Sequence, residues 1–321
     1  MYYPYLYARR GEVLAFRDVM SQLKADSTVI PVLEPVSSNI SSLRLALDAA
    51  KKAKQPAYLV INPFLGKFKD VDDATKGWMT DAVSITKSNP FVRPTFIAGP
   101  NETLPQLKAF VKAWNGREAG VVLRGNTLPA SAIASETSGK FAHAMYFLTG
   151  STPPPSVLSA LGMKNCVLVE DRFLVQPNNS LYKGIEPFTG MHLTYAKMGY
   201  AGFSDYTGLS AKFREGGSLP AAVAVHLTFY DRKTPEVFIE HFVSKSQLAS
   251  DRDLAKKMRE AIAVAVAASG RPGDSFGLTA AYKQYMDAHK HKTPVSLQEN
   301  KRWCVAHHLD LMSGLLSGRF K

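Results

Sequence analysis

The sequence predicts a (β/α)8, TIM-barrel-like domain followed by a smaller β-hairpin and helical appendage. Three observations carry that expectation. Eight short apolar runs recur along the first two thirds of the chain, each breaks off into polar or turn residues, and helical periodicities fill the gaps. Successive runs start 22 to 38 residues apart, the length of a strand, a helix and two loops.

The first run, residues 3–7, ends at Arg9-Arg10-Gly11-Glu12. The next three are 29–33, ending at Glu34-Pro35, 57–61, ending at Asn62-Pro63, and 95–98, ending at Gly99-Pro100-Asn101. Residues 120–123 follow, ending at Arg124-Gly125-Asn126, then 144–148, ending at Thr149-Gly150, and 166–169, ending at Glu170-Asp171-Arg172. The eighth, 201–203, lies in Gly-Tyr-Ala-Gly-Phe-Ser-Asp-Tyr-Thr-Gly (199–208) and ends at Ser204-Asp205. The runs are near-continuous rather than alternating, as in parallel strands buried on both faces. Helical patterns lie between them at 12–24, 40–54 (after a serine-rich entry that supplies an N-cap) and 104–114, which stops at Asn115-Gly116. An open doubly wound sheet with an extra domain is the alternative arrangement of the same units.

After the eighth run the pattern changes. Residues 221–230 and 237–243 read as a hairpin turning at Asp231-Arg232-Lys233-Thr234-Pro235. Helices follow at 251–268, capped by Ser250 or Asp251 and ended by Gly270-Arg271-Pro272, then at 279–289 and 300–316. The expected division is therefore a barrel over 1–220 and an appendage over 221–321, packed on it, with no linker long enough for an independent domain.

The formal charge of +12 favours anionic partners such as nucleic acid or phosphorylated ligands, although no run of five cations marks a dedicated arm. Cys166 and Cys304 lack metal-site spacing and suit a reducing cytoplasm. The first residues lack the pattern of a signal peptide, and the longest apolar run, 261–269, is too short for a bilayer. A cytoplasmic protein without membrane association is expected.

The segments Tyr3-Pro4-Tyr5-Leu6 with Arg10-Gly11-Glu12, Ile30-Pro31-Val32-Leu33-Glu34, Gly202 to Tyr206, and His307-His308-Leu309-Asp310-Leu311-Met312 resemble the phage "beta protein" family and its uncharacterised bacterial relatives. The resemblance spans most of the chain. It implies a barrel-like fold and a phage or mobile-element context such as phage defence, with a nuclease-like partner encoded nearby. It carries no activity, so no catalytic residue is transferred from it.

In a barrel the strand-end polar residues converge on one rim. Glu34, Asp205 and one of Glu170 and Asp171 would then offer oxygen ligands to a divalent metal such as Mg or Mn, or act as acid and base. Arg10 and Arg124 would clamp a phosphate, with Asn62 and Tyr206 beside them in substrate binding. Together these suit a metal-assisted hydrolase acting on a phosphorylated or nucleic-acid substrate. The opposing possibility is that the charges pair with one another, Arg124 with Asp205 or Arg10 with Glu34. The chain is then a non-catalytic module that recruits or restrains a partner protein or nucleic acid.

His226 and His241 lie on the two arms of the hairpin, where they either face each other as a metal or acid–base pair or bond to backbone carbonyls. His307 and His308 are about 100° apart on a helix, so one is expected to pack and the other to be wet. His289 and His291, beside Lys290 and Lys292, read as a solvated basic patch. The chain has no strand-end lysine for a Schiff base, no G-x-S-x-G elbow, no G-x-x-x-x-G-K-[ST] loop and no G-x-G-x-x-G fingerprint.

Overall fold

The structure, a computed structural model, describes residues 1–320 except 71, 151, 216–218, 232, 269–275 and 277–278. The expected helix end at Gly270-Arg271-Pro272 falls outside the described residues. The chain forms two compact units. The first comprises Met1–Arg10, Val29–Asp171 and Thr194–Tyr206; the second comprises Gly11–Thr28, Arg172–Leu193 and Thr207–Lys321.

The strands are β1 (Tyr5–Leu6), β2 (Val32–Leu33), β3 (Ala57–Val60), β4 (Val92–Ala98), β5 (Glu118–Leu123), β6 (His143–Thr149), β7 (Cys166–Glu170), β8 (Ile185–Thr189), β9 (Gly202–Asp205), β10 (Ala224–Tyr230) and β11 (Val237–Val243). The helices are α1 (Arg10–Asp26), α2 (Ser41–Ala53), α3 (Asp73–Ser88), α4 (Leu104–Ala113), α5 (Ala130–Thr137), α6 (Pro155–Leu161), α7 (Met191–Thr194), α8 (Leu254–Ala268), α9 (Ala280–His291) and α10 (Leu297–Ser317).

In the first unit, eight strands run parallel in the order β1-β2-β3-β4-β5-β6-β7-β9. The ring closes through the parallel bridge between Tyr2 and Phe203, where Tyr3 N donates to Phe203 O at 2.9 Å and Phe203 N to Met1 O at 3.2 Å. All eight expected strands are present in this TIM-barrel-like sheet. Its interior is aromatic: Tyr58 lies 5.1 Å from Phe147, and Tyr3 lies 5.7 Å from Phe147 and 6.2 Å from Tyr58, centroid to centroid. Two glycines make room for these rings. A Cβ on Gly202 would lie 2.6 Å from the Tyr3 ring, and one on Gly120 would lie 2.9 Å from Tyr58. Outside the sheet, Phe96, Val121, Tyr146, Leu148 and Cys166 bury a second layer with Leu107, Phe110 and Val111 of α4 and Leu158 and Leu161 of α6. The β7–β9 connection carries β8 and the four-residue α7 where a single helix was expected.

In the second unit, β10, β11 and β8 form an antiparallel sheet in that order. The hairpin stands as expected, but β8 comes from a stretch that reads as part of the barrel, and the unit takes in Gly11–Thr28 as well. A boundary at residue 220 thus falls inside the unit's last stretch. Ile185-Glu186-Pro187-Phe188-Thr189 hides its strand character because proline removes a ladder donor, which only an edge strand tolerates, and β8 is an edge strand. One face of the sheet buries Val225, Leu227, Phe229 and Phe242 against Met258, Ala261, Ile262 and Ala265 of α8 and Tyr282 and Tyr285 of α9.

Helix α10 runs along β10, the other edge. Asn300 Nδ2 donates to Ala224 O at 3.1 Å, and His307 Nε2 bonds Thr228 O at 2.8 Å. A helix that occupies an edge strand's open carbonyls removes a template for strand addition. His307 and His308 are both buried, contrary to the expectation that one is wet: His308 Nδ1 bonds Thr228 Oγ1 at 2.9 Å, and His307 Nδ1 bonds Thr279 Oγ1 at 2.8 Å. The caps also differ from expectation. Asp253 rather than Ser250 or Asp251 accepts from the first turn of α8, through Lys256 N at 2.8 Å. At α2 the N-cap position is Ile40 and no side chain caps the helix; the entry is instead held by Asn39 Oδ1, which accepts from Ser41 N at 3.0 Å.

Candidate functional site

Side chains alternate along a strand, so each rim residue's direction follows from its neighbours. Gly202 faces the Tyr3 ring inside the barrel, which turns Ser204 and Tyr206 inward and Phe203 and Asp205 outward. The outward side chains make a layer of their own. Tyr2 stacks on Phe203 at 5.0 Å, and its hydroxyl donates to Asp205 Oδ1 at 2.7 Å. Burial first, then the Asp205 charge, pushes the Tyr2 phenol well above its ordinary pKa, so it stays a donor. Asp205 is 1% exposed and sits beside the Tyr2–Phe203 bridge that closes the barrel.

This corrects the expected convergence. Glu170 stands opposite Asp205 in the register of β7 and β9 and shares its outward face, so neither joins Glu34 in the mouth. Asp171, one residue further, is exposed and close enough to Tyr206 to raise its pKa. Arg10 is exposed at the start of α1. Asn62 is spent on the sheet: its amide donates to Ile97 O at 2.9 Å and accepts from Ile97 N at 2.8 Å, extending β3 along β4 as a strand residue would. Among the described residues, no group of three or more His, Cys, Asp or Glu is arranged to hold a metal ion.

The structure does bring together Glu34, Arg124 and Tyr206, with Tyr5 and Tyr7, which the sequence reading missed as site residues. Glu34 is fully buried. Arg124 meets both its oxygens, Nη1 at 2.9 Å from Oε1 and Nη2 at 2.8 Å from Oε2, and the Tyr5 hydroxyl donates to Oε2 at 2.6 Å. The guanidinium lies 5.1 Å from the Tyr5 ring centroid and 5.9 Å from those of Tyr7 and Phe64. Tyr206 completes the cluster, 5.3 Å from Tyr5 and stacked on Tyr7 at 5.7 Å. Burial pushes its phenol up to about 12, against the pull of Arg124. Tyr5, Tyr7 and Tyr206 are each buried, so three phenols and one ion pair occupy the mouth. The partners anticipated for such pairing were Arg10 with Glu34 and Arg124 with Asp205; the pair that forms is Arg124 with Glu34. The sequence signal for this cluster was the Tyr-x-Tyr-x-Tyr alternation of residues 3, 5 and 7, which places three rings on one face of β1 and its extensions.

Beside the mouth a cavity of about 380 Å³ opens between the loops after β5 and β6. Gly125, Asn126, Thr127, Thr149 and Thr152 line it, with Pro153 and Pro154, and among the described residues no charged side chain does.

No family model matches the chain, and no curated protein matches it. Among solved structures it is similar to a mutant tryptophan synthase alpha-subunit from the hyperthermophile Pyrococcus furiosus, at 16% identity over 52% of this chain and 85% of that one, with a TM-score of 0.28. It is similar to the same extent to the tryptophan synthase α2β2 complex of that organism, with a TM-score of 0.27. The fold assignment rests on the strand order and register above.

No helix of the described residues is long and apolar enough to cross a membrane.

Proposed function

We propose that the barrel is a non-catalytic binding module that holds an anionic partner, a nucleic acid or an acidic protein surface. One observation carries this reading: the mouth where barrel enzymes keep their chemistry is filled by the Glu34–Arg124 pair and three buried phenols. A catalytic carboxylate must reach substrate or metal, and Glu34 has both oxygens engaged by Arg124 and Tyr5. The net charge of +12 supplies the attraction for an anionic partner. The resemblance to phage beta proteins agrees with a partner from a mobile element.

The test sets binding against turnover. Purified wild type and Glu34→Gln are assayed for hydrolysis of bis-p-nitrophenyl phosphate with Mg²⁺ or Mn²⁺, and for binding of a labelled DNA duplex at 50 and 200 mM salt. The expected result is no hydrolysis by either protein and salt-sensitive binding by both. Metal-dependent hydrolysis by the wild type, lost in a folded Glu34→Gln, would return the protein to the metal-assisted hydrolases.

A further inference from the structure

The hairpin of the second unit sets two histidines face to face. His226 of β10 and His241 of β11 are register partners, and their Nδ1 atoms are 2.7 Å apart. Glu186 of the third strand, β8, is in register with Ile239 and so lies on the same face as His241, with Oε2 at 3.5 Å from His241 Nε2. Tyr182 and Phe173 wall the pair: the Tyr182 ring is 4.6 Å from His226 and 4.9 Å from His241, and the Phe173 ring is 5.1 and 6.0 Å away. His226 is half-buried, whereas the His241 side chain is fully enclosed.

Two ring nitrogens at 2.7 Å cannot both present lone pairs, so a positive centre must lie between them. Glu186 decides the tautomers. A carboxylate beside His241 Nε2 keeps the proton on that nitrogen, which leaves His241 Nδ1 as a lone pair and makes His226 Nδ1–H the donor. A carboxylate behind one imidazole nitrogen, with the other nitrogen directed at a shared point, is the arrangement that orients histidine ligands around metals. We propose that His226 and His241, backed by Glu186, form a two-histidine site for a borderline transition-metal dication such as Zn²⁺, Ni²⁺ or Cu²⁺, the cation replacing the proton that the two rings share.

The geometry asks for little rearrangement. Two nitrogens about 2.05 Å from a tetrahedral ion stand about 3.3 Å apart, so the rings part by roughly 0.6 Å. Nitrogen ligands exclude Mg²⁺ and Ca²⁺, which take oxygen. Above the ordinary imidazole pKa near 6.5 both rings are in the neutral form that metals require. The displaced proton moves from Nδ1 to Nε2 of His226 and stays on the ring. Binding therefore releases no proton at neutral pH. Water completes the coordination. The site lies within the second unit and is independent of the barrel-mouth reading.

Untagged protein is titrated calorimetrically with ZnCl2 in two buffers of different ionisation enthalpy. One Zn²⁺ per chain with equal heats in both buffers is expected. Binding should be lost in His226→Gln and His241→Gln, weakened about tenfold in Glu186→Gln, and unchanged in His289→Ala/His291→Ala. An unaltered affinity in both single histidine variants, or no binding to wild type at 100 µM Zn²⁺, overturns the proposal. If the variants do not fold, a Cu²⁺ electron paramagnetic resonance spectrum of wild type decides it. Hyperfine structure from two imidazole nitrogens supports the site, and one nitrogen or none rejects it.

Discussion

The two ends of the barrel carry the same device in different solvent. At the amino end of the strands Arg93 pairs with Glu118 and lies 5.1 Å over the Tyr58 ring. At the carboxyl end Arg124 pairs with Glu34 and lies 5.1 Å over the Tyr5 ring. Strand β5 begins with Glu118, and Arg124 directly follows its last residue, so one strand holds a charge at each end of the interior. The carboxylates differ: the Glu118 side chain is 46% exposed and that of Glu34 is 0% exposed. Barrels normally reserve the carboxyl end for chemistry and the amino end for stability. Here the carboxylate at the carboxyl end is the better sealed of the two, the reverse of that division.

The largest effect should come from opening the sealed end. Arg124→Met leaves Glu34 buried without its cation, which costs about 3–5 kcal/mol. The double variant Glu34→Leu/Arg124→Met, which removes both charges, should recover most of that loss. Urea denaturation measures both. A single variant no less stable than wild type would mean that the Glu34–Arg124 pair is not sealed from water, and the contrast between the ends would collapse.

A second contrast separates the units by pH. The second unit contains His192, His226, His241 and His307, all with lowered pKa, burial being the largest cause. His307 falls to about 4. In the unfolded chain each takes a proton near 6.5. Their neutral forms therefore contribute stability that is complete above pH 6.5 and is lost as pH falls towards 4. For His307 alone that loss is on the order of 3 kcal/mol at pH 4. Hydrogen exchange at pH 7 and 4.5 should show protection falling in β10, β11 and α10 more than in β3 to β6. Equal loss in both units would contradict the assignment.

Packing inside the barrel gives the next effect. Gly202→Ala drives a methyl to 2.6 Å from Tyr3 and 2.5 Å from Met1 O, at the closing seam. Overpacking of this kind costs about 1–3 kcal/mol. A shift in urea midpoint with an unchanged slope is expected. A wild-type midpoint would show that the seam gives way without strain.

The strands were legible because burial on both faces leaves a continuous apolar run, a local property. The direction of a rim residue is not local. Asp205 looked like a mouth residue because it ends a strand, yet its outward turn is set by Gly202 meeting Tyr3 across the closure. The segment holding β8 gave no signal, because Pro187 and a single buried Phe188 do not write a strand pattern. His226 and His241 were legible as a pair because they stand equally far from the hairpin turn, and their register confirms it. Glu186 could not be joined to them from sequence, since its strand was itself unseen.

The smallest effect is at the open end, and it sharpens the comparison most directly. Glu118→Gln removes one charge from a pair whose carboxylate is nearly half exposed, so water replaces the partner and the change should cost under about 1 kcal/mol. Arg93 keeps its contact with the Tyr58 ring and its hydrogen bond to the Tyr58 hydroxyl at 3.3 Å, so it is not stranded. The residual effect should shrink further in 0.5 M NaCl, because an exposed pair is screened. Glu34→Gln, measured alongside, should be insensitive to the same salt. If the two carboxylates respond alike to salt, the carboxyl end is as wet as the amino end, and the mouth is open enough to reconsider chemistry there.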